Sequence, residues 1–140
     1  KKLKNISVPK GIIPRTIDEL PILFVISALS KGKAKFNGIA ELRIKESDRI
    51  AAMEKGLNLI GIKTKSTRDT LTIYGNPKIK FQKTINLSTN LDHRIAMSFF
   101  ILAQTLGTRM TIKGFESVNS SFPNFLKLQR KLGAKYEIKK

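Results

Sequence analysis

Residues 41–50 read Glu-Leu-Arg-Ile-Lys-Glu-Ser-Asp-Arg-Ile, and this stretch decides how the rest of the chain is interpreted. From Ile50 onward the apolar residues recur at helical spacing, which predicts an amphipathic helix that Gly61 ends. Ser47 is the predicted N-cap of that helix, with Asp48 in its first turn. Six charged residues therefore surround one predicted helix start.

The charges at this helix start suggest an anion site. A helix N-terminus carries unpaired N–H groups and the positive end of the helix dipole. Lys45 and Arg49 add cationic side chains there, and Glu46 adds a carboxylate that could carry a proton. The ordinary alternative is a solvated cap with no function, which is the usual role of charges at a helix start.

The composition favours anion chemistry over metal or thiol chemistry. The chain has no Cys and one His, which argues against a disulfide framework, a thiolate zinc site or a His-based metal site. The net charge of +17 fits an anionic substrate, and it also permits a basic nucleic-acid-binding module. The Lys residues are scattered and no nucleic-acid-binding motif accompanies them, so we prefer anion chemistry and predict no nucleic-acid partner.

No segment of the sequence predicts a membrane span or a targeting signal. The longest apolar run, Leu20–Leu29, is too short for a bilayer and is interrupted by Pro21 and Ser27. We therefore expect a cytoplasmic protein with no membrane partner.

The predicted elements alternate between helices and strands. Two helices are apolar on nearly every side and should be buried, at 18–30 and 93–105. Two more helices are amphipathic, from residue 50 and from Pro123, the latter with Phe125, Leu128 and Leu132 on one face. Strands are predicted at 33–37, 62–66, 71–74, 85–87, 108–113 and 135–138, residues 1–8 are read as a strand end or loop, and 117–122 as a loop.

Glycines that end these elements indicate an internal repeat. The pairs Gly32 and Gly107, Gly38 and Gly114, and Gly61 and Gly133 lie 75, 76 and 72 residues apart. Each copy holds a buried helix, a strand, an amphipathic helix and a strand, so we predict two units, 12–75 and 85–140. Two buried helices imply an α/β (α+β) fold in which sheets cover a helical core from outside.

The repeat would bring three polar helix starts together on one face. They are residues 14–21 with Asp18, residues 45–49, and residues 90–97 with His93 and Arg94. Taken alone, Asp18 is read as an N-cap; Asp92 is predicted to be one, and His93 could be a core residue bonded to backbone. Arg94 is harder to explain structurally, because an unpaired guanidinium entering a buried helix is costly.

Three segments resemble the C-terminal signatures of the 5-enolpyruvylshikimate-3-phosphate synthases, also called 3-phosphoshikimate 1-carboxyvinyltransferases. They are Glu41–Arg49, Leu91–Met97 and Ser121–Phe125, in the family's order. The Lys-Glu-Ser-Asp-Arg element distinguishes this family, the target of glyphosate, from the UDP-N-acetylglucosamine enolpyruvyl transferases. The resemblance implies an inside-out barrel of βαβαββ units with buried helices, of which this chain would be the C-terminal fragment of one domain.

The resemblance also implies a reaction and its acid–base groups. The enolpyruvyl group of phosphoenolpyruvate would be transferred to the 5-hydroxyl of shikimate 3-phosphate, with release of phosphate. Asp18 matches the proton acceptor at that hydroxyl, and Glu46 matches the group that moves a proton at the methylene carbon. Lys45 matches a lysine near the reacting oxygens that contacts shikimate 3-phosphate. No metal or organic cofactor is implied.

The remaining implied residues bind phosphoenolpyruvate. Arg49 and Arg94 match arginines that hold this substrate, and His93 matches the histidine beside the second arginine. Glu41 and Ser120 stand where some members have Asn and Lys, so no role is carried to them. An acceptor other than shikimate 3-phosphate stays an alternative.

The family's remaining substrate-binding elements are N-terminal to the matched segments. We therefore expect the missing N-terminal part to be a partner, the fragment to be inactive alone, and its exposed faces to favour self-association.

Overall fold

The computed structural model describes residues 3–5, 8–81 and 83–138, and within them helices and strands alternate. The α-helices are α1 (Ile13–Thr16), α2 (Leu20–Ala28), α3 (Arg49–Leu59), α4 (His93–Leu106), α5 (Val118–Ser121) and α6 (Phe125–Lys131). The strands are β1 (Gly32–Asn37), β2 (Thr64–Ser66), β3 (Thr70–Gly75), β4 (Ile85–Ser88) and β5 (Met110–Lys113). Short 3₁₀ turns lie at Lys10–Ile12, Ile17–Glu19, Ala40–Ile44 and Phe115–Ser117.

The strands form two separate sheets. Strand β3 lies between β1 and β2 and pairs antiparallel with both, with Phe36 opposite Leu71. Strands β4 and β5 pair in parallel, with Ile85 opposite Met110, and α4 is the crossover between them. The second sheet is therefore a βαβ unit, which places the start of α4 just after the end of β4.

Two apolar helices form the centre of the core, as the sequence predicts. Helices α2 and α4 pack against each other, and on their other sides α2 contacts β3 and α4 contacts β5. Helix α3 packs against both of them. The core therefore has helices inside and strands outside, which confirms the predicted fold class. Its buried side chains include Leu20, Phe24, Phe36, Leu57, Leu71, Ile73, Ile95 and Phe99.

The C-terminal third has a smaller aromatic core of its own. The ring of Phe100 meets those of Phe115, Phe125 and Tyr136, with centroid separations of 5.8, 5.4 and 5.9 Å. Val118 is buried in the same cluster. This packing gives α5 and α6 a hydrophobic base, although each is too short to be stable alone.

The segment 117–122, predicted as a loop, contains helical turns. The hydroxyls of Ser117 and Ser120 donate to the carbonyls of Gly114 and Ser117, each at 2.8 Å. Burial of Val118 against the aromatic core adds packing that the polar sequence does not reveal. The loop prediction is wrong because tertiary packing outweighs the weak helix propensity of serine.

The last two predicted elements also differ from the sequence prediction. Helix α6 begins at Phe125 rather than Pro123, and Leu128 and Leu132, predicted for its buried face, are 42% and 80% exposed. Residues 135–138 form no strand. The side-chain amide of Gln104 bonds the backbone N–H and C=O of Lys135, at 3.1 and 2.9 Å. Gln104 thus occupies the backbone N–H and C=O of Lys135, with which a neighbouring strand would form hydrogen bonds.

Smaller differences concern the ends of elements. The predicted helix 18–30 is shorter, because Ile17–Glu19 forms a 3₁₀ turn and α2 begins at Leu20. Pro21 lies in the first turn of α2, as predicted. Residues 1, 2, 6 and 7 of the predicted segment 1–8 lie outside the described residues.

The six glycines used to find the repeat share one backbone property. All of them have φ between 59° and 101°, the region that favours glycine. The division into units 12–75 and 85–140 stays a prediction. In the described part of the chain, every helix is too short or too polar to cross a lipid bilayer.

A test of this packing is the close approach of α3 to α4. A Cβ added at Gly56 would lie 2.1 Å from Cζ of the buried ring of Phe99. Overpacking costs about 1–3 kcal/mol, which outweighs the gain of about 1 kcal/mol in helix propensity. We expect Gly56→Ala to lower the free energy of unfolding, measured by urea denaturation followed by circular dichroism.

Gly11→Ala is the control, because a Cβ at Gly11 has no atom within 4 Å. It should not lower the free energy of unfolding, because alanine fits there and restricts the unfolded chain. A Gly56→Ala variant as stable as the unsubstituted chain would contradict the described packing of α3 against α4.

Candidate active site

The guanidinium of Arg49 is the centre of a network of carboxylates. Its side chain is 1% exposed, and each of its nitrogens donates to a different acidic residue. Nε bonds Oδ2 of Asp92 at 2.8 Å, Nη1 bonds Oδ1 of Asp18 at 3.0 Å, and Nη2 bonds Oε2 of Glu46 at 2.6 Å. Three of the five N–H donors of the guanidinium are thus used, one from each nitrogen.

These residues come from three helix starts, which meet as the sequence predicts. Arg49 is the first residue of α3, Asp18 lies in the turn before α2, and Asp92 caps α4 by accepting from the N–H groups of Arg94 and Ile95. The crossing of α2, α3 and α4 in the core brings their N-termini together. Asp18 and Asp92, which are 74 positions apart, therefore contact the same side chain.

One part of the prediction at α3 is wrong. The N-cap is Asp48, whose side chain accepts from the N–H of Ala51, and not Ser47. The hydroxyl of Ser47 instead donates to Oδ2 of Asp92 at 2.9 Å. An Asp is as good an N-cap as a Ser, so Asp48 can cap α3 while the hydroxyl of Ser47 donates to the buried carboxylate of Asp92.

The network favours the charged forms of Asp18 and Arg49. Desolvation is the largest influence on Asp18 and raises its pKa, but the hydrogen bond from Arg49 and the charges of Arg94 and Lys45 outweigh it, so the pKa is lowered. Desolvation also opposes the charge of Arg49, yet the hydrogen bond and charge of Asp92 leave the pKa of Arg49 raised. Asp18 and Arg49 are therefore held as an ion pair.

Lys45 joins the network from outside. Its Nζ forms an ion pair with Glu41 and lies 3.8 Å from Oδ1 of Asp18. The hydrogen bond to Glu41 is the main reason that the pKa of Lys45 is raised. Lys45, the predicted contact of shikimate 3-phosphate, thus lies close to Asp18, the predicted proton acceptor.

Arg94 links the starts of α4 and α2. Its Nη1 donates to the backbone carbonyl of Asp18 at 2.8 Å and to Oε1 of Glu19 at 3.1 Å. His93 begins the same helix and is half-buried, but no hydrogen bond of its ring is found among the described residues. The structure thus brings Arg94 to Asp18 and leaves His93 beside the network.

Other charges of the opening stretch have a structural role. Arg43 pairs with Asp48 at 2.8 Å and donates to the backbone carbonyls of Thr67 and Arg68 in the β2–β3 turn. Ser120, to which no role is carried from the family, and Ser121 donate to the backbone carbonyls of Ser117 and Val118 and not to the Arg49 network.

The network is more acidic than the sequence suggests. Five carboxylates, of Asp18, Glu19, Glu41, Glu46 and Asp92, surround three cationic groups. The side chains of Asp18 and Glu46 are 46% and 48% exposed, whereas Asp92 is 0% exposed. A small anion could therefore reach Arg49 by displacing the two exposed carboxylates, while Asp92 would stay in place.

An open groove of about 270 Å³ adjoins the network. Its lining includes Asp18 and Arg94 from the network and the apolar residues Ile22, Met97 and Phe125. Within residues 3–5, 8–81 and 83–138, no group of three or more His, Cys, Asp or Glu side chains has a geometry that could hold a metal ion.

Asp92 is the functional candidate that sequence reasoning underrated. The sequence predicts it only as an N-cap, which is confirmed. The available signal was its place directly before His93 and Arg94 in one of the three recognised segments. Its bond to Arg49 depends on the crossing of two helices and has no local sequence pattern.

Comparison with known proteins identifies the family to which these residues point. Residues 2–128 match the family described as EPSP synthase (3-phosphoshikimate 1-carboxyvinyltransferase). The chain is 42% identical over 139 residues to the 3-phosphoshikimate 1-carboxyvinyltransferase of Zymomonas mobilis, covering 97% of this chain and 31% of the relative. It is 39% identical to that of Paramagnetospirillum magneticum, covering 96% and 30%.

Solved structures agree with the sequence comparison. An EPSP synthase structure from Acinetobacter baumannii superposes with a TM-score of 0.84 at 40% identity, covering 93% of this chain and 30% of that one. The enolpyruvyl transferase NikO from Streptomyces tendae gives 0.61 at 18% identity, over 96% and 28%, which shows a shared fold alone. The chain thus spans about 30% of the length of the curated relatives it matches.

The lowered pKa of Asp18 predicts a pH-dependent contribution to stability. Because its native pKa lies below the unfolded value, this contribution is present above about pH 4 and is lost as pH falls through the native pKa. Since Asp18 is half-exposed, the contribution is at most about 1 kcal/mol. The free energy of unfolding of Asp18→Asn should be lower than that of the unsubstituted chain at pH 6, and the difference should shrink towards pH 3.

Urea denaturation at several pH values measures this difference. Glu116→Gln is the control, because it removes an exposed carboxylate for which no ion pair is found in the described residues. If the free energy of unfolding of Asp18→Asn is lower by the same amount at pH 6 and at pH 3, the predicted coupling between protonation of Asp18 and stability is wrong.

Proposed function

The chain belongs to the EPSP synthase family, and on that basis we propose that it supplies part of the active site for enolpyruvyl transfer. In the proposed reaction the 5-hydroxyl of shikimate 3-phosphate attacks phosphoenolpyruvate, and phosphate leaves. The products are 5-enolpyruvylshikimate 3-phosphate and phosphate, on the route to chorismate and the aromatic amino acids. The family match favours this transferase over a nucleic-acid-binding module, which no observation supports.

The observation that carries the proposal is the convergence on Arg49. A buried guanidinium that two exposed carboxylates hold can exchange them for the carboxylate or phosphate of phosphoenolpyruvate. Arg94 lies at the neighbouring helix start and offers a second guanidinium, 30% exposed. Both are the arginines to which the family resemblance assigns this substrate.

The chemistry needs two separate proton carriers. Addition of the hydroxyl to the double bond requires a proton on the methylene carbon and the loss of another from the attacking oxygen. Phosphate then leaves as the new methyl group gives up a proton, which restores the double bond. We assign both proton transfers at this carbon to Glu46 and the deprotonation of the hydroxyl to Asp18, with Lys45 beside the reacting oxygens. His93 is assigned to the site only through its place beside Arg94. Proton transfers of this kind need no metal or organic cofactor.

Substrate binding would activate Asp18 in this scheme. In the structure its pKa is lowered, partly by the hydrogen bond from Arg49. When an anion takes that bond, the pKa of Asp18 rises towards its ordinary value, and the carboxylate becomes a stronger base. Arg49 would thus suppress the basicity of Asp18 until the substrate arrives.

The remaining part of a full-length family member is the proposed partner of this chain. Relatives are about three times as long, and transfer requires groups that enclose both substrates. We infer that the chain does not turn over alone. A cytoplasmic location belongs to the same proposal, because doubly charged phosphorylated substrates do not cross a bilayer unaided.

A chimera tests the proposed reaction. This chain would be joined to the portion of the Acinetobacter baumannii EPSP synthase that it does not cover, and phosphate release from phosphoenolpyruvate and shikimate 3-phosphate would be measured. We expect activity in the chimera and none in the isolated chain. Glu46→Gln and Asp18→Asn should each lower kcat by about 100-fold or more, the usual contribution of a general acid or base.

Glu54→Gln is the matched control for Glu46→Gln. Glu54 lies on α3 and accepts hydrogen bonds from Thr64 and Ser66, away from Arg49. It should leave kcat unchanged. A folded chimera without activity, or one whose Glu46→Gln variant is fully active, would refute the assignment. Product formed with a UDP-sugar in place of shikimate 3-phosphate would identify another acceptor.

Exposed apolar side chains predict that the isolated chain self-associates. Ile44, Leu132 and Ile138 are 83%, 80% and 72% exposed. Contacts between such residues remove apolar surface from water. Light scattering after gel filtration should give a mass above 15.7 kDa that rises with concentration. A constant monomer mass up to high concentration would contradict this prediction.

A further inference from the structure

We propose that Asp92 is a positioning residue, whose buried carboxylate holds the guanidinium of Arg49 in the orientation that receives the substrate anion. This inference rests on the proposed function, in which Arg49 binds phosphoenolpyruvate. Asp92 is 0% exposed and acts through Arg49 rather than on the substrate.

The two oxygens of Asp92 have different partners. Oδ1 accepts from the N–H groups of Arg94 and Ile95, at 3.0 and 3.3 Å, and so caps α4. Oδ2 accepts from Nε of Arg49 at 2.8 Å and from the hydroxyl of Ser47 at 2.9 Å. Since Ser or Asn caps a helix equally well with one oxygen, capping does not explain a carboxylate here. The second oxygen serves the start of α3.

The three carboxylates that bind Arg49 differ in exposure. The buried one is a fixed partner, and the two exposed ones can be replaced by a ligand. Asp92 binds Nε from the buried side, whereas Asp18 and Glu46 bind the Nη atoms and are nearly half-exposed. An incoming carboxylate or phosphate binds a guanidinium best as a fork, through two parallel N–H bonds. The bond from Asp92 leaves both Nη atoms facing the exposed side, where such a ligand would bind.

The turn that delivers Asp92 has an unusual backbone. Asn90 and Leu91 have φ of 51° and 60°, although neither is glycine. Residues without glycine's freedom keep such angles only where surrounding contacts impose them, and such strain is concentrated at functional sites. These angles directly precede Asp92 and set the direction in which the chain enters α4.

Contacts on both sides of the turn hold it in this shape. Thr89 is buried, its N–H and its hydroxyl both donate to the carbonyl of Lys113 at 3.0 Å, and its own carbonyl accepts from Asp92. A Cβ at Gly114 would lie 2.7 Å from Oγ1 of Thr89 and 3.1 Å from N of Leu91. Gly114 thus lets the turn pack tightly against the end of β5.

Asp92→Asn in the chimera described above tests the role of the second oxygen. An amide has one acceptor oxygen, so it cannot serve both α4 and Arg49. We expect kcat/KM for phosphoenolpyruvate to fall by about 100-fold, the effect of misplacing a binding group by about 1 Å. The loss should lie mainly in KM for phosphoenolpyruvate, and KM for shikimate 3-phosphate should stay unchanged.

Asp92→Ser is the second variant, because it keeps a helix cap and removes the partner of Arg49. Asp48→Asn is the matched control, since it makes the same change at the N-cap of α3, which pairs with Arg43. Equal losses in Asp92→Asn and Asp48→Asn, or a loss shared by both substrates, would assign Asp92 a structural role alone and overturn the proposal.

A spectroscopic readout on the 140-residue chain separates this inference from the proposed function. In ¹⁵N-labelled chain the Nε–H of Arg49 should exchange slowly with water, because it is buried and bonded to Asp92. Protection should be lost in Asp92→Asn and Asp92→Ser and kept in Asp48→Asn. An inactive chimera with this pattern would refute the function and support the positioning. Protection that survives both Asp92 substitutions would refute the positioning.

Discussion

The burial of one positive charge constrains the rest of this structure. Arg49 is 1% exposed, and an arginine does not lose its proton to escape the cost of leaving water. Acceptors must therefore be brought to it, and removing one partner of a buried ion pair costs about 3–5 kcal/mol. Three helix starts meet at Arg49 because each delivers one of those acceptors.

The same constraint links stability to the proposed chemistry. The buried partner, Asp92, is fixed by the cap of α4 and by the turn before it, whereas Asp18 and Glu46 face solvent. The exposed pair neutralises Arg49 in this structure, and in the proposed function it yields to a substrate anion. The chain's charge of +17 attracts such an anion from a distance, although the network itself is rich in carboxylates.

Much of the fold could be predicted because its signals are local. The apolar helices α2 and α4, the strand β1 and the glycine ends of elements follow from composition and spacing over a few residues. The secondary-structure elements that were predicted wrongly lie in the C-terminal third, where tertiary packing decides which structure forms. The serine-rich segment around Val118 is helical because Val118 packs into the aromatic core. Lys135 pairs with no strand because its backbone N–H donates to the side chain of Gln104.

The site shows the same division. The sequence by itself determined which residues carry charge at each helix start, that Asp92 caps α4, and that Glu46 and Arg49 lie on one side of the chain where α3 begins. These relations span four residues or fewer. Only the tertiary structure decided that Arg49 binds Asp18 and Asp92. It also decided that Ser47 donates to Asp92 instead of capping α3, and that His93 lies beside the network. Those contacts join residues 31 to 45 positions apart, and the physical reason is the crossing of three helices in one apolar core, which no local pattern records.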